Sequence, residues 1–344
     1  DALALHEALP DTVFFSMYEM TDPFPAPVLP LADFPRLAPG LGVTDVYGVF
    51  LDFMSGVLGI PRPPGHPVGV ADGLDLSGVL RRYGMRTHAL LYPGGGLLAS
   101  DESLDRVAHL VDRADQVFSY VTPALERFPS ILPIDPATID TDFYGRTSAV
   151  ELTADPVQLL FAADAKPRKG LDVALAAQRL VDRAGHRVHL TVAGPNEASA
   201  DQAGRSSTFV GWQSREQLRE LHRGTAIFLS PVRAERGDEI DGGITDGFPT
   251  TAAAEAMSSG CLLITANPEH DHRSLRPGVD YLEREPTPEA FADAIGWAID
   301  HPEQAAAIAA SGAQRVRERL DVRAGALKRL ELMGFEPATS TRRG

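Results

Sequence analysis

The sequence is short of cysteine, of lysine and of long apolar runs. Its single cysteine, Cys261, has no internal partner, so the fold does not rely on a disulfide or an oxidising compartment, and a cytoplasmic setting is expected. No apolar stretch reaches the ~18 residues that a membrane-spanning helix needs, so no transmembrane segment is expected. Positive charge is scarce: 32 Lys and Arg face 47 Asp and Glu, a net charge of −15. That balance argues against nucleic acid or anionic membrane as a partner. Lysine is scarcest of all, with Lys166, Lys169 and Lys328 against 29 arginines. Asp1 opens the chain with no basic-then-apolar leader behind it, which reads as a fragment.

What remains is ordinary globular material. A length of 344 residues suits two domains, each with its own core. Prolines crowd the first 70 residues and keep regular structure there short. Between them, Thr12–Met17, Asp45–Leu51, His88–Tyr92 and Gln116–Val121 are brief β-branched or aromatic runs, the pattern of strands covered on both faces of a parallel sheet. Ser103–Arg113 reads as a helix among them.

Beyond about residue 150 the alternation is regular. Strands are expected at Val157–Ala163, Arg187–Ala193, Ala226–Leu229 and Cys261–Thr265, with helices at Leu171–Ala184, Arg215–His222, Thr250–Ser259 and Glu289–Asp300, and an Ala-rich helix to about Leu320. Ser214 with Gln217 makes a capping box, and Thr287-Pro288 a cap with a first-turn proline. The repeat is that of a parallel, Rossmann-like α/β sheet. The polar stretch Phe143–Val150 is the expected boundary, giving domains 1–146 and 147–335 and a polar tail 336–344. Ligands of such sheets sit in loops beyond the carboxyl ends of the strands.

Two loops carry the candidate chemistry. In Thr245-Asp-Gly-Phe-Pro-Thr-Thr-Ala-Ala-Ala-Glu255 a glycine-containing loop runs into an Ala-rich helix whose first N–H groups favour a phosphate, with the carboxylates of Asp246 and Glu255 suited to vicinal hydroxyls. A plain loop-to-helix join fits the same residues. In Phe161-Ala-Ala-Asp-Ala-Lys-Pro-Arg-Lys-Gly170 three cations follow a strand end, where they would neutralise a phosphoryl leaving group. A solvated basic loop is the plainer alternative, weakened because two of only three lysines lie here. His270-Asp-His272 with Cys261 fits no common zinc spacing, and Asp238-Glu-Ile-Asp-Gly-Gly lacks the alternation of a calcium loop and reads as an acidic lid, so no metal is expected.

Together these motifs resemble the retaining glycosyltransferases of family 4, the glycosyl transferases group 1, from Leu159 to about Val322. Lys166-Pro-Arg-Lys-Gly-Leu-Asp is similar to the family's Pro-x-Lys-Gly-x-Asp loop, His189-Leu-Thr-Val-Ala-Gly-Pro to its second strand, and Phe209-Val-Gly211-Trp to its Phe-x-Gly turn. Asp246-Gly-Phe-Pro with Glu255-Ala-Met-Ser-Ser-Gly resembles its acidic pair and following helix. Upstream, Ala114-Asp-Gln-Val and Ile139-Asp-Thr match more weakly, with Thr122 and Pro123 reading as a cap and first turn.

The resemblance implies a GT-B fold, two facing Rossmann-like domains with the N-terminal one incomplete, and metal-independent transfer of a sugar with retention from a nucleotide-diphosphate sugar to a sugar, lipid-linked or small-molecule acceptor. The donor is a substrate and no cofactor is implied. By that resemblance Lys169, with Arg168, would bind the diphosphate, Glu255 the ribose hydroxyls, and Asp246 with Gly247, Phe248, Pro249 and Thr250 the transferred sugar; Gly211 lies in a matched turn. His88 matches a histidine near the donor sugar, with a structural role in its strand as the competing reading. Four departures stand out. Asp164 occupies a position usually held by Arg, for which Lys166, Arg168, Arg233 or Arg236 would substitute; Asp246 and Glu255 enclose one residue more than the family's pair; Ala137-Thr138 replaces an Asn-Gly; and the family's first strand and glycine loop are not recognisable. A GT-B epimerase, or a GT-B scaffold without turnover, are the alternative functions.

Overall fold

The computed structural model describes residues 2–17, 24–61, 74–93, 101–136, 138–145, 152–164, 166–195, 206–233 and 247–336. By packing, the chain divides into two units, Asp1–Asp135 with Arg236–Gly247 and Gly325–Gly344, and Pro136–Glu235 with Phe248–Ala324.

The first unit runs α1 (Ala2–Ala8), β1 (Phe14–Ser16), β2 (Val28–Pro30), α2 (Phe34–Leu37), β3 (Asp45–Val49), α3 (Leu51–Val57), α4 (Ser77–Tyr83), β4 (Arg86–Leu91), α5 (Asp101–Arg113), β5 (Gln116–Ser119), α6 (Thr122–Arg127) and β6 (Leu132–Pro133). Strands β3-β4-β5-β6 form a parallel sheet in sequence order, while β1 and β2 pair separately. From Thr87 to Leu91 every residue of β4 is buried, because helices cover both faces of the sheet. Its core joins Ala89, Leu91 and Val117 of the sheet to Leu51 and Met54 of α3 and to Val107 and Leu110 of α5. Thr122 is the first residue of α6; Val121 holds the cap position and no side chain caps it, which corrects the expected cap at Thr122.

The second unit runs α7 (Thr141–Tyr144), β7 (Val157–Ala162), α8 (Leu171–Arg183), β8 (Val188–Ala193), β9 (Ser207–Gly211), α9 (Arg215–Arg223), β10 (Ile227–Ser230), α10 (Thr251–Ser258), β11 (Leu262–Thr265), β12 (Leu282–Glu283), α11 (Pro288–Asp300) and α12 (Pro302–Arg319), and then enters α13 (Val322–Met333). Its six parallel strands are ordered β12-β11-β10-β7-β8-β9. Numbered within the sheet this is the Rossmann order, with the reversal between β7 and β10. Alternate residues feed opposite faces. Leu159, Phe161, Ile227, Leu229, Leu262 and Ile264 pack with α8 and α11, whereas Leu160, Phe228 and Leu263 pack with α10. This period of two with both faces apolar is why the strands read as continuous hydrophobic runs. The capping box at Ser214 and Gln217 and the cap at Thr287 are both formed.

The division falls at Pro136 rather than at 146, and α13 crosses it at Gly325 rather than the second unit ending at 335. Hydrogen bonding explains both differences. Ile139 pairs with the segment at Asp321 through bonds to Leu320 (3.1 Å) and from Val322 (2.8 Å), and Thr141 Oγ1 donates to Asp321 at 2.6 Å, so residues 138–145 belong with the second unit. At the other end of α13, Gln116 Nε2 of β5 donates to the carbonyl of Leu332 at 2.8 Å.

Candidate functional site

The reversal point of a Rossmann sheet leaves a crevice, because the helices after the two flanking strands leave toward opposite faces. Here those strands are β7 and β10. After β7, Pro167 starts a single 3-10 turn, Pro167–Lys169, closed by Lys169 N to Lys166 O (2.9 Å) and Gly170 N to Pro167 O (3.0 Å). Gly170 then takes the left-handed conformation, φ +75°, and starts α8. A Cβ at Gly170 would overlap the carbonyl oxygen of Pro231, so the β7 loop lies directly on the β10 loop. Only glycine allows both the backbone angle and that approach.

Three cations come with the turn and a fourth crosses to it. Arg168 is buried, 6% exposed, while Lys166 and Lys169 are half-buried. Arg233, beyond β10, donates its backbone N–H to Arg168 O at 2.8 Å and pairs its guanidinium with Asp172 of α8 at 2.6 Å. Its charge is thus paired within the two loops. Asp164 itself is exposed, and Arg236 lies outside the described residues. Ammonium and guanidinium groups are thus concentrated at this point on a chain whose net charge is −15, an arrangement whose charge complements an anion.

The second candidate loop also lies beyond β10. Asp246 is outside the described residues. Gly247 belongs to the first unit, where a Cβ would come within 2.7 Å of the Tyr120 ring and 2.9 Å of Pro93. Phe248 is buried against Tyr281, ring centroids 5.1 Å apart, which anchors the loop just before the helix. Thr250 is the cap of α10 rather than its first residue; its hydroxyl accepts from Ala253 N at 3.3 Å. That hydroxyl is therefore engaged, and the anion-binding capacity of this end rests on backbone N–H groups.

Glu255, one turn into α10, is half-buried beside the phenol of Tyr144 and the guanidinium of Arg215. Burial raises its pKa above the ordinary carboxyl value, and the contacts with Tyr144 and Arg215 pull it back down. Tyr144 is held in place by its own carbonyl, which accepts from Ser259 Oγ at 2.9 Å. Arg215 lies over the Phe143 ring at 4.0 Å and pairs with Asp140 at 3.1 Å. A carboxylate has about four lone-pair directions, so these neighbours orient Glu255 without exhausting it. Tyr144 and Arg215 were not foreseen; the aromatic pair Phe143-Tyr144 in an otherwise polar stretch was the available signal.

Gly211 ends β9 with φ +67° and accepts from Gly194 N at 2.8 Å. It lies on the edge strand, two strands away from β7. His88 is in β4 of the first unit, 1% exposed, with Nε2 on Asp45 of β3 (2.8 Å) and Nδ1 on Gln116 of β5 (3.0 Å). Both ring nitrogens are engaged, so His88 ties three strands together, which favours the structural reading of this residue over the catalytic one. His272 is engaged by Glu283 at 2.9 Å.

Residues 148–315 match the family model of the glycosyl transferases group 1. No curated protein matches the sequence. Among solved structures, sucrose-phosphate synthase from Thermosynechococcus elongatus superposes with a TM-score of 0.67 at 16% identity, covering 96% of this chain and 91% of its own. A glycosyltransferase from Rickettsia africae does so with 0.65 at 13% identity, over 93% of this chain and 88% of its own. HepE from Anabaena, solved in complex with UDP-glucose, gives 0.59 at 16% identity over 74% of each chain. The fold is GT-B. The family match spans every candidate residue of the second GT-B unit, from Lys166 to Glu255, and leaves out His88. No helix among the described residues is long and apolar enough to cross a membrane.

Proposed function

We propose that this GT-B protein transfers a sugar, with retention at the anomeric carbon, from a nucleoside diphosphate sugar to an acceptor hydroxyl, as a member of retaining family 4. The observation that carries this reading is the cationic turn Lys166–Lys169, packed through Gly170 onto Pro231 at the strand-order reversal. The glycosyl transferases group 1 match over residues 148–315 supports it, as does the likeness to a protein solved with UDP-glucose.

In this reading the bond between the anomeric carbon and the diphosphate oxygen breaks, and its electron pair leaves with the nucleoside diphosphate. Lys169, supported by Lys166 and Arg168, stabilises that charge, as do the first N–H groups of α10. Because these cations supply the neutralisation, the step calls for no metal. Glu255 accepts from the ribose hydroxyls, and Asp246 with the backbone from Gly247 to Thr250 holds the sugar. The acceptor oxygen then bonds to the same face of the carbon, and its proton passes to the oxygen of the departing diphosphate. Cys261 is buried and forms no disulfide, which suits a reducing, cytoplasmic setting.

The test is thermal stabilisation by UDP-, GDP- and ADP-sugars, followed by transfer assays. At a hundred times its dissociation constant the correct donor stabilises by about 2.7 kcal/mol, and Lys169→Ala and Glu255→Ala should each cut transfer sharply. Unchanged transfer in both variants would overturn the site, and sugar release as an epimer without acceptor would replace transfer by epimerisation. Absence of stabilisation by all donors would leave a non-catalytic scaffold.

A further inference from the structure

The second unit carries a polar network that the proposed transfer does not use, at the carboxyl ends of β11 and β12. Glu283, the last residue of β12, pairs with Thr265 of β11 and collects three donors on one oxygen, Oε2: the phenol of Tyr281 at 2.6 Å, Nε2 of His272 at 2.9 Å and Nδ2 of Asn267 at 3.3 Å. Asn267 also accepts from Asp271 N at 3.2 Å and donates to Asp271 O at 3.1 Å, which closes the loop on itself. The residue before the tyrosine is pinned as firmly. Asp280 is 1% exposed, pairs with Arg276 through both carboxylate oxygens and accepts from Ser311 of α12 at 2.8 Å. A Cβ at Gly312 would overlap the carbonyl oxygen of Asp280, so α12 packs directly on it.

These bonds converge on Tyr281, whose side chain belongs to two environments. Its ring is buried in the core that α10 and α12 share with the sheet, and it meets the Phe248 ring at 5.1 Å, tilted by 50°. Its hydroxyl leaves that core for the Glu283 carboxylate. Phenylalanine would fill the apolar part equally, so packing alone does not account for the oxygen. Burial and the carboxylate beside it push the phenol's pKa up, so the hydroxyl remains a donor. A bond of this kind, from a hydroxyl to an ionised acceptor, is stronger than one between neutral groups. Two residues after Phe248, Thr250 caps α10, so whatever fixes Phe248 sets where that helix begins.

We propose that Tyr281, tethered by Glu283, is a positioning residue for the start of α10: it holds Phe248 and so keeps the first N–H groups of the helix in place for the diphosphate. Its effect passes through the Phe248 ring and requires no contact with the donor. Hydrogen-bond donors fixed before a ligand arrives bind it without a further ordering cost. That the ligand is a diphosphate rests on the transfer proposed above; the hold of Tyr281 on Phe248 and α10 does not.

Hydrogen exchange and UDP calorimetry on the full chain, with Tyr281→Phe, Glu283→Ala and Glu283→Gln, test the two parts separately. The amides of Ala253 and Ala254, both bonded to Thr250, should exchange about tenfold faster in Tyr281→Phe and Glu283→Ala. Amides of α8 should keep their wild-type rates, which keeps local loosening distinct from loss of fold. UDP affinity should fall about threefold to tenfold in the same two variants. Glu283→Gln retains an acceptor for the phenol and should recover most of both losses. Wild-type exchange at Ala253 and Ala254 in Tyr281→Phe would overturn the hold on α10, and faster exchange with unchanged UDP affinity would overturn its role in binding. Faster exchange in a protein whose wild type binds neither UDP, GDP nor ADP would uphold the hold on α10 and sink the donor reading.

Discussion

Each unit ends a parallel sheet in loops, yet the two edges differ in kind: beyond β7 and β10 the second unit sets Lys166, Arg168, Lys169 and Arg233, whereas beyond β3, β4 and β5 the first unit sets Phe50, Tyr92 and Tyr120. The same architecture offers the same kind of place for a ligand. The difference lies in the first residues after each strand, cationic side chains in one unit and aromatic ones in the other. Buried histidines repeat the contrast. His88 of the first unit has both ring nitrogens hydrogen-bonded, while His222 of the second lies between Phe228 and Tyr144 with neither bonded.

The largest expected effect tests how the cationic edge is built. Gly170→Val combines a disfavoured φ with overlap on Pro231 and should destabilise by roughly 3 kcal/mol or more. Denaturant melts read it, and a variant as stable as the parent would show that the two loops do not need their close contact.

Next comes acid. Burial pushes His222 down to about 4 from an ordinary 6.5, so between these values the unfolded chain binds the extra proton. Stability should therefore be intact above pH 6.5 and fall by on the order of 3 kcal/mol as pH drops to about 4. In His222→Phe that acid loss should shrink. An unchanged pH profile would mean that other groups set it.

Lys169→Ala comes third. It should weaken UDP binding by about tenfold to a hundredfold, the scale of a charge-assisted contact, whereas Phe50→Ala should leave UDP binding unaltered. Calorimetry on both variants would break the comparison if Phe50→Ala weakened UDP and Lys169→Ala did not.

The smallest effect concerns Glu255. Tyr144→Phe removes a contact that favours its ionised form, so its pKa rises further and more of it is protonated at low pH. UDP affinity should fall about threefold to tenfold near pH 6 and recover as pH rises. A loss independent of pH would assign Tyr144 to packing alone.

Much of the fold was legible because its signals are local. The runs at Gln116 and Val157, the box at Ser214 and Gln217 and the cap at Thr287 each lie within a few residues. Strand β12, only Leu282–Glu283, and helix α13 were missed: one is too short to show a period and the other has little apolar asymmetry around its axis. In the site, the cationic turn was legible and its partners were not. The pairing of Arg233 with Asp172 and the contact of Glu255 with Tyr144 join residues far apart in the chain, so only the fold shows them.

By itself, the sequence determined what depends on neighbours along the chain: the alternation of strand and helix, the turn at Pro167 and the choice of lysine where little lysine is used. Tertiary structure alone decided that Gly170 meets Pro231, that His88 joins Asp45 to Gln116, that Glu255 faces Tyr144, and that three aromatic residues form one row. The physical reason is register. Side-chain period is a local property, but which strand pairs with which, and at what offset, is set by hydrogen bonds and packing between segments far apart in sequence.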